Sequence, residues 1–200
     1  GIKTKRDSHY TLDGQRVRGF NSIFACESIP AAKAYYRAFK ELQEERGGER
    51  LRMALIYSWA ANEEEIDGIL VDEELDTSNL DQSSRDYLDA AIRDYNGMFG
   101  TSYDTGSGFE GYYENVSERM KNRELDMLIV VNMFLTGFDA TTLNTLWVDK
   151  NLKLHGLVQA FSRTNRILNS VKTFGNIVCF RDLEDEVERA LSVYGDDQAG

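Results

Sequence analysis

Five runs of apolar residues, each of strand length, constrain the fold of this chain more than any other feature. Most are apolar throughout, which is typical of strands that are covered on both faces. Stretches with helical spacing separate them, and strands that alternate with helices favour right-handed crossovers and a parallel sheet. The sequence therefore predicts an α/β fold. The runs occupy residues 20–26, 52–59, 126–134, 143–149 and 174–180.

The predicted helices carry recognisable start signals. Pro30 lies where the first turn of a helix accepts proline, ahead of a helical pattern that covers residues 31–45. Ser84 is a suitable cap for a second helix over residues 83–99. Three more helices are predicted over residues 110–123, 154–168 and 183–195.

The composition is that of a soluble globular protein. The chain has 200 residues, of which 42% are hydrophobic and 28% are charged, enough for one compact domain or two small ones. No apolar run approaches the roughly 20 residues that a membrane-spanning helix needs. The basic start has no apolar signal core behind it, and no initiator Met is present, so we expect an excised piece of a cytoplasmic protein.

The two cysteines, Cys26 and Cys179, fall within predicted strands. We interpret both as small core residues in a reducing compartment, not as a disulfide. With two histidines and two isolated cysteines, a zinc site is not expected, and we predict no metal site.

The net charge of −11 argues against a freestanding nucleic-acid binder. Residues 53–84 contain nine carboxylates and no lysine or arginine. The simplest interpretation of this acidic segment is a solvated surface loop. Basic residues, among them Lys150 and Lys153, follow later in the chain, so one side of the domain is expected to face anions.

One phosphate-binding pattern is present and another is missing. Residues 106–111, GSGFEG, match G-x-G-x-x-G, but turn-forming residues precede them where a dinucleotide site needs an apolar strand. We therefore predict a loop that enters a helix. The pattern G-x-x-x-x-G-K-[ST] occurs nowhere in the sequence, so we expect the isolated chain not to hydrolyse nucleotides.

Gln159, Arg163 and Arg166 form a polar stripe on the predicted helix over residues 154–168. They fall within about 60° of one another around a helix, opposite an apolar side. Two guanidinium groups a turn apart repel each other mildly, so folding alone does not favour them. Such a pair suits a highly charged anion such as a triphosphate. A solvated basic face is the alternative.

The sequence Thr136-Gly137-Phe138-Asp139 directly follows the buried run over residues 126–134. Ligands in open parallel sheets commonly bind where such strands end. The Thr136 hydroxyl and the Gly137 backbone could approach a phosphate, and Asp139 could accept from a sugar hydroxyl. Ordinary turn chemistry is the alternative for each of these residues.

These two stretches resemble motifs V and VI of superfamily 2 helicases and translocases. More narrowly, LTGFDATTLNTLWVDKNLKLHGLVQAFSRTNRI and KTFGNIVCFRDL are similar to the motor region of the R (restriction) subunit of type I restriction endonucleases. The similarity is close over residues 125–183 and extends loosely to a motif IV region at 19–40. Thr141 stands where that family commonly has proline.

The resemblance implies a second RecA-like motor domain. Residues 19–183 would carry motifs IV, V and VI, residues 1–18 a linker, and residues 184–200 a helix leading to a missing C-terminal region. ATP with Mg²⁺ would be held mainly by a missing first motor domain, and together the two domains would track along duplex DNA. Methyltransferase and specificity subunits would be further partners, in the cytoplasm of a bacterium or archaeon.

The resemblance also assigns roles to individual residues. Arg163 and Arg166 correspond to the motif VI arginines that reach the γ-phosphate, and Gln159 to the glutamine near the phosphates. Asp139 corresponds to the motif V acid near the ribose of ATP. Gly137 is expected at the nucleotide, and its motif V position also lies near the DNA backbone. Thr136, Lys150 and Lys153 are expected to contact the DNA.

Two alternatives remain open from the sequence. The first is a noncatalytic interaction domain that retains the fold without the nucleotide clamp. The second is a motor domain of another superfamily 2 enzyme, such as an RNA helicase.

Overall fold

The computed structural model describes residues 9–12, 15–48, 50–58, 75–135, 138–164, 172 and 174–195. The strands are β1 (His9–Leu12), β2 (Gln15–Arg18), β3 (Asn21–Cys26), β4 (Met53–Ile56), β5 (Met127–Val130), β6 (Leu143–Asp149) and β7 (Asn176–Cys179). The helices are α1 (Ile29–Arg46), α2 (Gln82–Phe99), α3 (Phe109–Lys121), α4 (Leu154–Ser162) and α5 (Glu184–Gly195).

Five of the described strands form one sheet in the order β4-β5-β3-β6-β7. Every neighbouring pair in this sheet is parallel. Each strand lies within one of the five apolar runs, and Pro30 lies in the first turn of α1. The predicted α/β fold with a RecA-like parallel sheet is therefore confirmed.

Helices pack on both faces of the sheet. On one face the ring of Phe24 in β3 contacts Tyr35 and Phe39 of α1, with ring centroids 4.5 and 5.9 Å apart. Towards the other face, the Asn21 side chain donates to the main-chain oxygen of Met120 in α3, over 2.6 Å. Strands β3, β4 and β5 are buried along their whole length as a result.

Buried tyrosines join the helices to the sheet and to each other. The hydroxyl of Tyr112 in α3 donates to the Leu55 carbonyl of β4 over 2.9 Å, and Tyr57 donates to the Ser84 carbonyl of α2 over 2.7 Å. The rings of Tyr95 and Tyr112 meet edge to face at 5.0 Å. Because each hydroxyl has an acceptor, these large rings enter the core without leaving a polar group unsatisfied.

The segment over residues 131–142 joins β5 to β6, which lie on either side of β3. Since both strands run in the same direction, this segment must return from the carboxyl edge of the sheet to the amino edge. Its apolar side chains are buried, including Phe134, Leu135 and Phe138. At its end the Asn21 amide donates to the Thr142 carbonyl over 3.3 Å, beside the start of β3.

Helix α2 begins one residue before the predicted range, and its N-cap lies three residues before the predicted cap. Asp81, not Ser84, is its N-cap, because the Asp81 carboxylate accepts from the Ser84 amide over 2.9 Å. Ser84 lies inside the first turn and is buried. The prediction that Ser84 caps this helix is therefore wrong.

The two cysteines have different environments. Cys26 at the end of β3 is fully buried, as expected, and burial raises the pKa of its thiol to about 12. Cys179 is exposed, because β7 is an edge strand whose burial alternates along its length. The prediction of a core position is wrong for Cys179.

The GSGFEG stretch forms a loop that enters α3, as predicted. The Asp104 carboxylate accepts from the backbone amides of Gly106 and Gly108, over 2.7 and 3.2 Å. These two amides therefore already have an acceptor within the loop.

Strands β1 and β2 form an antiparallel hairpin, with His9 opposite Arg18. This hairpin lies within residues 1–18, which the resemblance implies to be a linker, and the domain limits stay a prediction. In the described ranges, none of the helices has the length and apolar character that crossing a membrane requires.

Replacing Tyr112 by Phe tests the hydrogen bonds between helix and sheet. Tyr112→Phe should lower the free energy of unfolding by about 1 kcal/mol, because the buried Leu55 carbonyl loses its donor. Tyr103→Phe is the matched control, since its ring packs 6.2 Å from that of Tyr112 but is partly exposed. Urea unfolding of the 200-residue chain measures both, and equal effects would contradict the proposed hydrogen-bond contribution.

Candidate functional site

Arg163 joins the end of α4 to the segment that crosses the sheet. Its guanidinium donates from NH1 to the Phe138 carbonyl and from Nε to the Gln159 carbonyl, each over 3.0 Å. NH2 lies 3.1 Å from the Ser162 hydroxyl oxygen. A half-buried guanidinium with three protein contacts is held in one orientation.

Helix α4 ends at Ser162, earlier than predicted, and Arg163 is its C-cap. The amides of Arg163 and Thr164 bond three residues back, to Ala160 and Phe161, in a tightened last turn. The Gln159 carbonyl accepts hydrogen bonds from the side chains of Ser162 and Arg163. The predicted helical stripe therefore does not extend through Arg163, and Arg166 lies outside the described residues.

Gly175 packs directly against the backbone that follows α4. A Cβ atom at Gly175 would stand 2.3 Å from the Thr164 carbonyl oxygen, closer than any side chain allows. Gly175 directly precedes β7, so Thr164 and Arg163 lie beside the start of that strand. The Phe138-Asp139 stretch lies beside Arg163, because the Arg163 guanidinium donates to the Phe138 carbonyl.

Lys172 is a member of this site that the sequence analysis did not select. It is only 2% exposed, although lysine is rarely buried. Burial lowers its pKa to about 8, and the negative charge of Asp139 counteracts that effect. Asp139 itself is exposed. A lysine in a polar connection gives no sequence signal of burial, so only the fold reveals this pairing.

Gln159 carries a buried polar atom one helical turn before Arg163. Its side-chain oxygen Oε1 is buried and finds no hydrogen-bond partner among the described residues. A buried acceptor without a donor is costly, so such atoms are common where a ligand or another domain supplies the missing group. Of the predicted stripe, Gln159 and Arg163 are thus close together at the end of α4.

Lys150 is buried, whereas the sequence analysis expects it to contact DNA. Its side chain is 6% exposed, and Nζ donates to the Asn132 side-chain oxygen, across the carboxyl edge of the sheet. Asn132 and Phe134 both have φ of +62°, a left-handed conformation that is unusual for such residues. Lys150 therefore braces a strained turn, whereas Lys153 is exposed ahead of α4.

The remaining predicted site residues are Thr136 and Gly137, which lie outside the described residues. Across the described ranges, no group of three or more His, Cys, Asp or Glu side chains is placed to hold a metal ion. What the described residues bring together is an oriented guanidinium, an exposed carboxylate and a buried amide oxygen. This set can bind a phosphorylated, hydroxyl-bearing ligand: the cation would face phosphate and the carboxylate would accept from a hydroxyl.

Comparison with known proteins assigns the family. Residues 18–182 match the family described as Type I restriction enzyme subunit R domain 3. The chain belongs to this family. It is 42% identical over 182 residues to the endonuclease subunit of the type I restriction enzyme SauCOLORF180P from Staphylococcus aureus (strain COL), a match that covers 90% of this chain.

Two further relatives have similar names. The endonuclease subunit of the type I restriction enzyme SsaAORF53P from Staphylococcus saprophyticus is 43% identical over 194 residues, covering 96% of this chain and 19% of the relative. The HindI endonuclease subunit from Haemophilus influenzae is 41% identical over 75 residues, 36% of this chain and 7% of the relative. The chain spans 18% of the length of the Staphylococcus aureus relative.

Substituting Gly175 tests the close approach to α4. Gly175→Ala should lower the free energy of unfolding by about 1–3 kcal/mol, because the new methyl group forces the Thr164 backbone to move. Gly97→Ala is the matched control: the added Cβ meets nothing within 4 Å inside α2, so this change should stabilise the chain by about 0.5–1 kcal/mol. Chemical denaturation measures both changes, and a neutral Gly175→Ala would refute this packing.

Proposed function

We propose that this chain is the second RecA-like motor domain of a type I restriction endonuclease R subunit. It would contribute half of an ATP-dependent motor that translocates duplex DNA before cleavage. The observation that carries the proposal is the contact between Arg163 and the Phe138 carbonyl, which brings the motif V-like turn to the end of the motif VI-like helix. Membership of the subunit R family supports the same assignment.

Arg163 would stabilise the charge that develops during phosphoryl transfer. The reaction spreads negative charge over the γ-phosphate oxygens, and proteins accelerate it mainly by positioning and electrostatic stabilisation. A guanidinium has five N–H donors in a planar fork. Three nitrogen atoms of Arg163 contact protein oxygens, which sets the plane of the fork before any anion arrives.

The other residues would bind and orient the nucleotide. Asp139 is exposed next to Phe138, so its carboxylate could accept from the ribose. The unsatisfied oxygen of Gln159 is suited to a donor from a hydrated phosphate or from the opposite domain. Arg166 is proposed as a second cation for the γ-phosphate. The first motor domain of the same chain would hold most of the nucleotide and its Mg²⁺.

Thr136 and Lys153 remain the proposed contacts to the DNA backbone. Lys150 would support them indirectly, because it holds the turn from which the segment with Thr136 and Gly137 departs. Duplex DNA would occupy a groove that the first motor domain completes. Methyltransferase and specificity subunits are the other proposed partners, and the family favours this setting over that of another superfamily 2 helicase.

The isolated chain should not hydrolyse ATP, and it should bind duplex DNA weakly or not at all. It has no phosphate-binding loop, so purified protein should show no ATP hydrolysis above background. With a net charge of −11, its binding to duplex DNA at physiological salt should be no tighter than the roughly 10⁻⁴–10⁻⁶ M of non-specific binders. Colorimetric phosphate release and fluorescence anisotropy measure these properties, and measurable turnover would reveal a nucleotide site that the proposal lacks.

In the full-length enzyme, Arg163→Ala and Arg166→Ala should each reduce DNA-stimulated ATP turnover by about 10³-fold, the lower end of the range for arginine fingers. The KM for ATP should change much less, since the other domain holds most of the nucleotide. Lysine at either position should restore little activity because it lacks the planar fork.

Arg93→Ala is the matched control for these variants. Arg93 is exposed on α2, far from α4 in the chain, and its loss should leave turnover unchanged. If both Arg163→Ala and Arg166→Ala hydrolyse ATP and translocate DNA at near wild-type rates, the noncatalytic alternative gains support and the motor assignment fails.

A further inference from the structure

Strand β7 lies at one edge of the parallel sheet, and the stretch around it is apolar. Within the described residues, β7 is the last strand of the sheet and pairs with β6. The sequence of residues 174–180, FGNIVCF, contains no charged residue and no proline. Phe174 and Phe180, at its two ends, are 63% and 55% exposed. Lysine and proline commonly protect edge strands from pairing with other chains, so this edge lacks two usual defences.

The backbone of β7 leaves hydrogen-bonding groups on its outer side. Val148 of β6 lies opposite Cys179, and its carbonyl accepts from the Phe180 amide over 2.8 Å. In a strand, the backbone groups of successive residues point to opposite edges, so those of Val178 and Phe180 face β6. The amide and carbonyl groups of Ile177 and Cys179 therefore point away from the sheet, where an added strand can bond to them.

A row of aromatic rings leads across the sheet to this edge. Phe180 stacks on Trp147 of β6 and on Phe24 of β3, with ring centroids 6.3 and 5.7 Å apart. Phe174 is an even number of residues from Phe180, so the strand pleat places both rings on the same face. Because its neighbours already restrain Phe180, little side-chain freedom is lost when a partner covers this ring.

We propose that the β7 edge binds the β7 edge of a second copy of this chain, as an antiparallel pair with its two-fold axis at Ile177. The outward groups of Ile177 then bond to those of Ile177 in the second copy. The outward groups of Gly175 meet those of Cys179 in the same way. This arrangement gives about six hydrogen bonds between the two copies.

The sequence around β7 selects this register. With the axis at Ile177, Phe174 lies opposite Phe180 of the second copy, and symmetry repeats this aromatic pair on the other side of the axis. Moving the axis by one residue, to Val178, would set Phe174 opposite the carboxylate of Asp182. The first register pairs two exposed apolar rings, whereas the second buries one of them against a charge.

The charge distribution also favours a second copy at this edge. With a net charge of −11, two copies of the chain repel each other over much of their surface, but residues 174–180 are uncharged. An interface that uses the same patch on both copies closes at two. None of the residues proposed to contact nucleotide or DNA takes part, so this inference does not depend on the motor assignment.

Sedimentation velocity of the 200-residue chain tests the proposal. The chain should show a concentration-dependent equilibrium between monomer and dimer. Ile177→Lys should weaken dimerisation by about 10-fold or more, because it sets two like charges opposite each other at the axis. Phe174→Ser should weaken it by a similar factor, since both aromatic pairs are lost. Phe174 is mostly exposed, so this variant keeps the test valid if Ile177→Lys does not fold.

Two results of this experiment would overturn the proposal. The first is a chain that stays monomeric at every concentration, and the second is a dimer that Phe174→Ser does not weaken. Leu191→Lys is the matched control, because Leu191 is an exposed apolar residue of α5 and the change in charge is the same. It should leave dimerisation unchanged. An equal loss in Leu191→Lys would mean that net charge, not the β7 edge, controls association.

Disulfide trapping tests the register and the full-length protein. In the proposed dimer, Ile177→Cys in a Cys179→Ser background lies opposite itself, with Cα atoms about 5.5 Å apart, a distance that a disulfide spans. Mild oxidation should give a covalent dimer, whereas Leu191→Cys in the same background should not. Equal cross-linking of the two would refute the register. The same variants in the full-length R subunit should give the same result. If Ile177→Cys stays monomeric there, another part of the subunit covers the edge and the proposal fails.

Discussion

The return of the chain between β5 and β6 is the constraint on which the candidate site depends. These two strands flank β3 and run parallel to it. The 131–142 segment therefore has to pass from the carboxyl end of β5 back to the amino end of β6. Parallel strands are usually joined by a helix that covers the sheet. Here buried side chains such as Phe134 and Phe138 provide the covering surface. A polar residue in such a segment, Asp139, is consequently set at a fixed place beside α4.

Three cations from the later part of the chain stabilise that segment. Lys150 donates to Asn132 near its beginning, whereas Arg163 and Lys172 act on Phe138 and Asp139 further along. The left-handed Asn132 and Phe134 make the first turn costly, by about 1–3 kcal/mol per residue. The segment is therefore tied by polar contacts to the residue that follows β6 and to the end of α4.

Local pattern was enough to predict the sheet and most helices. The core strands are continuously apolar, and a strand accounts for such short runs better than a helix does. Order within the sheet was not predictable, so Cys179 was assigned to the core although β7 is an edge strand. The end of α4 was missed because the side chain of Arg163 captures the Gln159 carbonyl. Lys172 was missed because its partner, Asp139, is distant in sequence.

The geometry at Arg163 explains why arginine suits this position even before a ligand binds. A lysine ammonium has three donors on one nitrogen atom, so using them on protein carbonyls turns the charge away from any other partner. The guanidinium separates these tasks: Nε and NH1 hold the Gln159 and Phe138 carbonyls, and the rest of the planar fork can be directed towards an anion. The residue that would sense phosphate is thereby the same residue that holds the crossing segment. In the proposed role, an anion that displaced Arg163 would act directly on its hydrogen bond to the Phe138 carbonyl, in the residue next to Asp139.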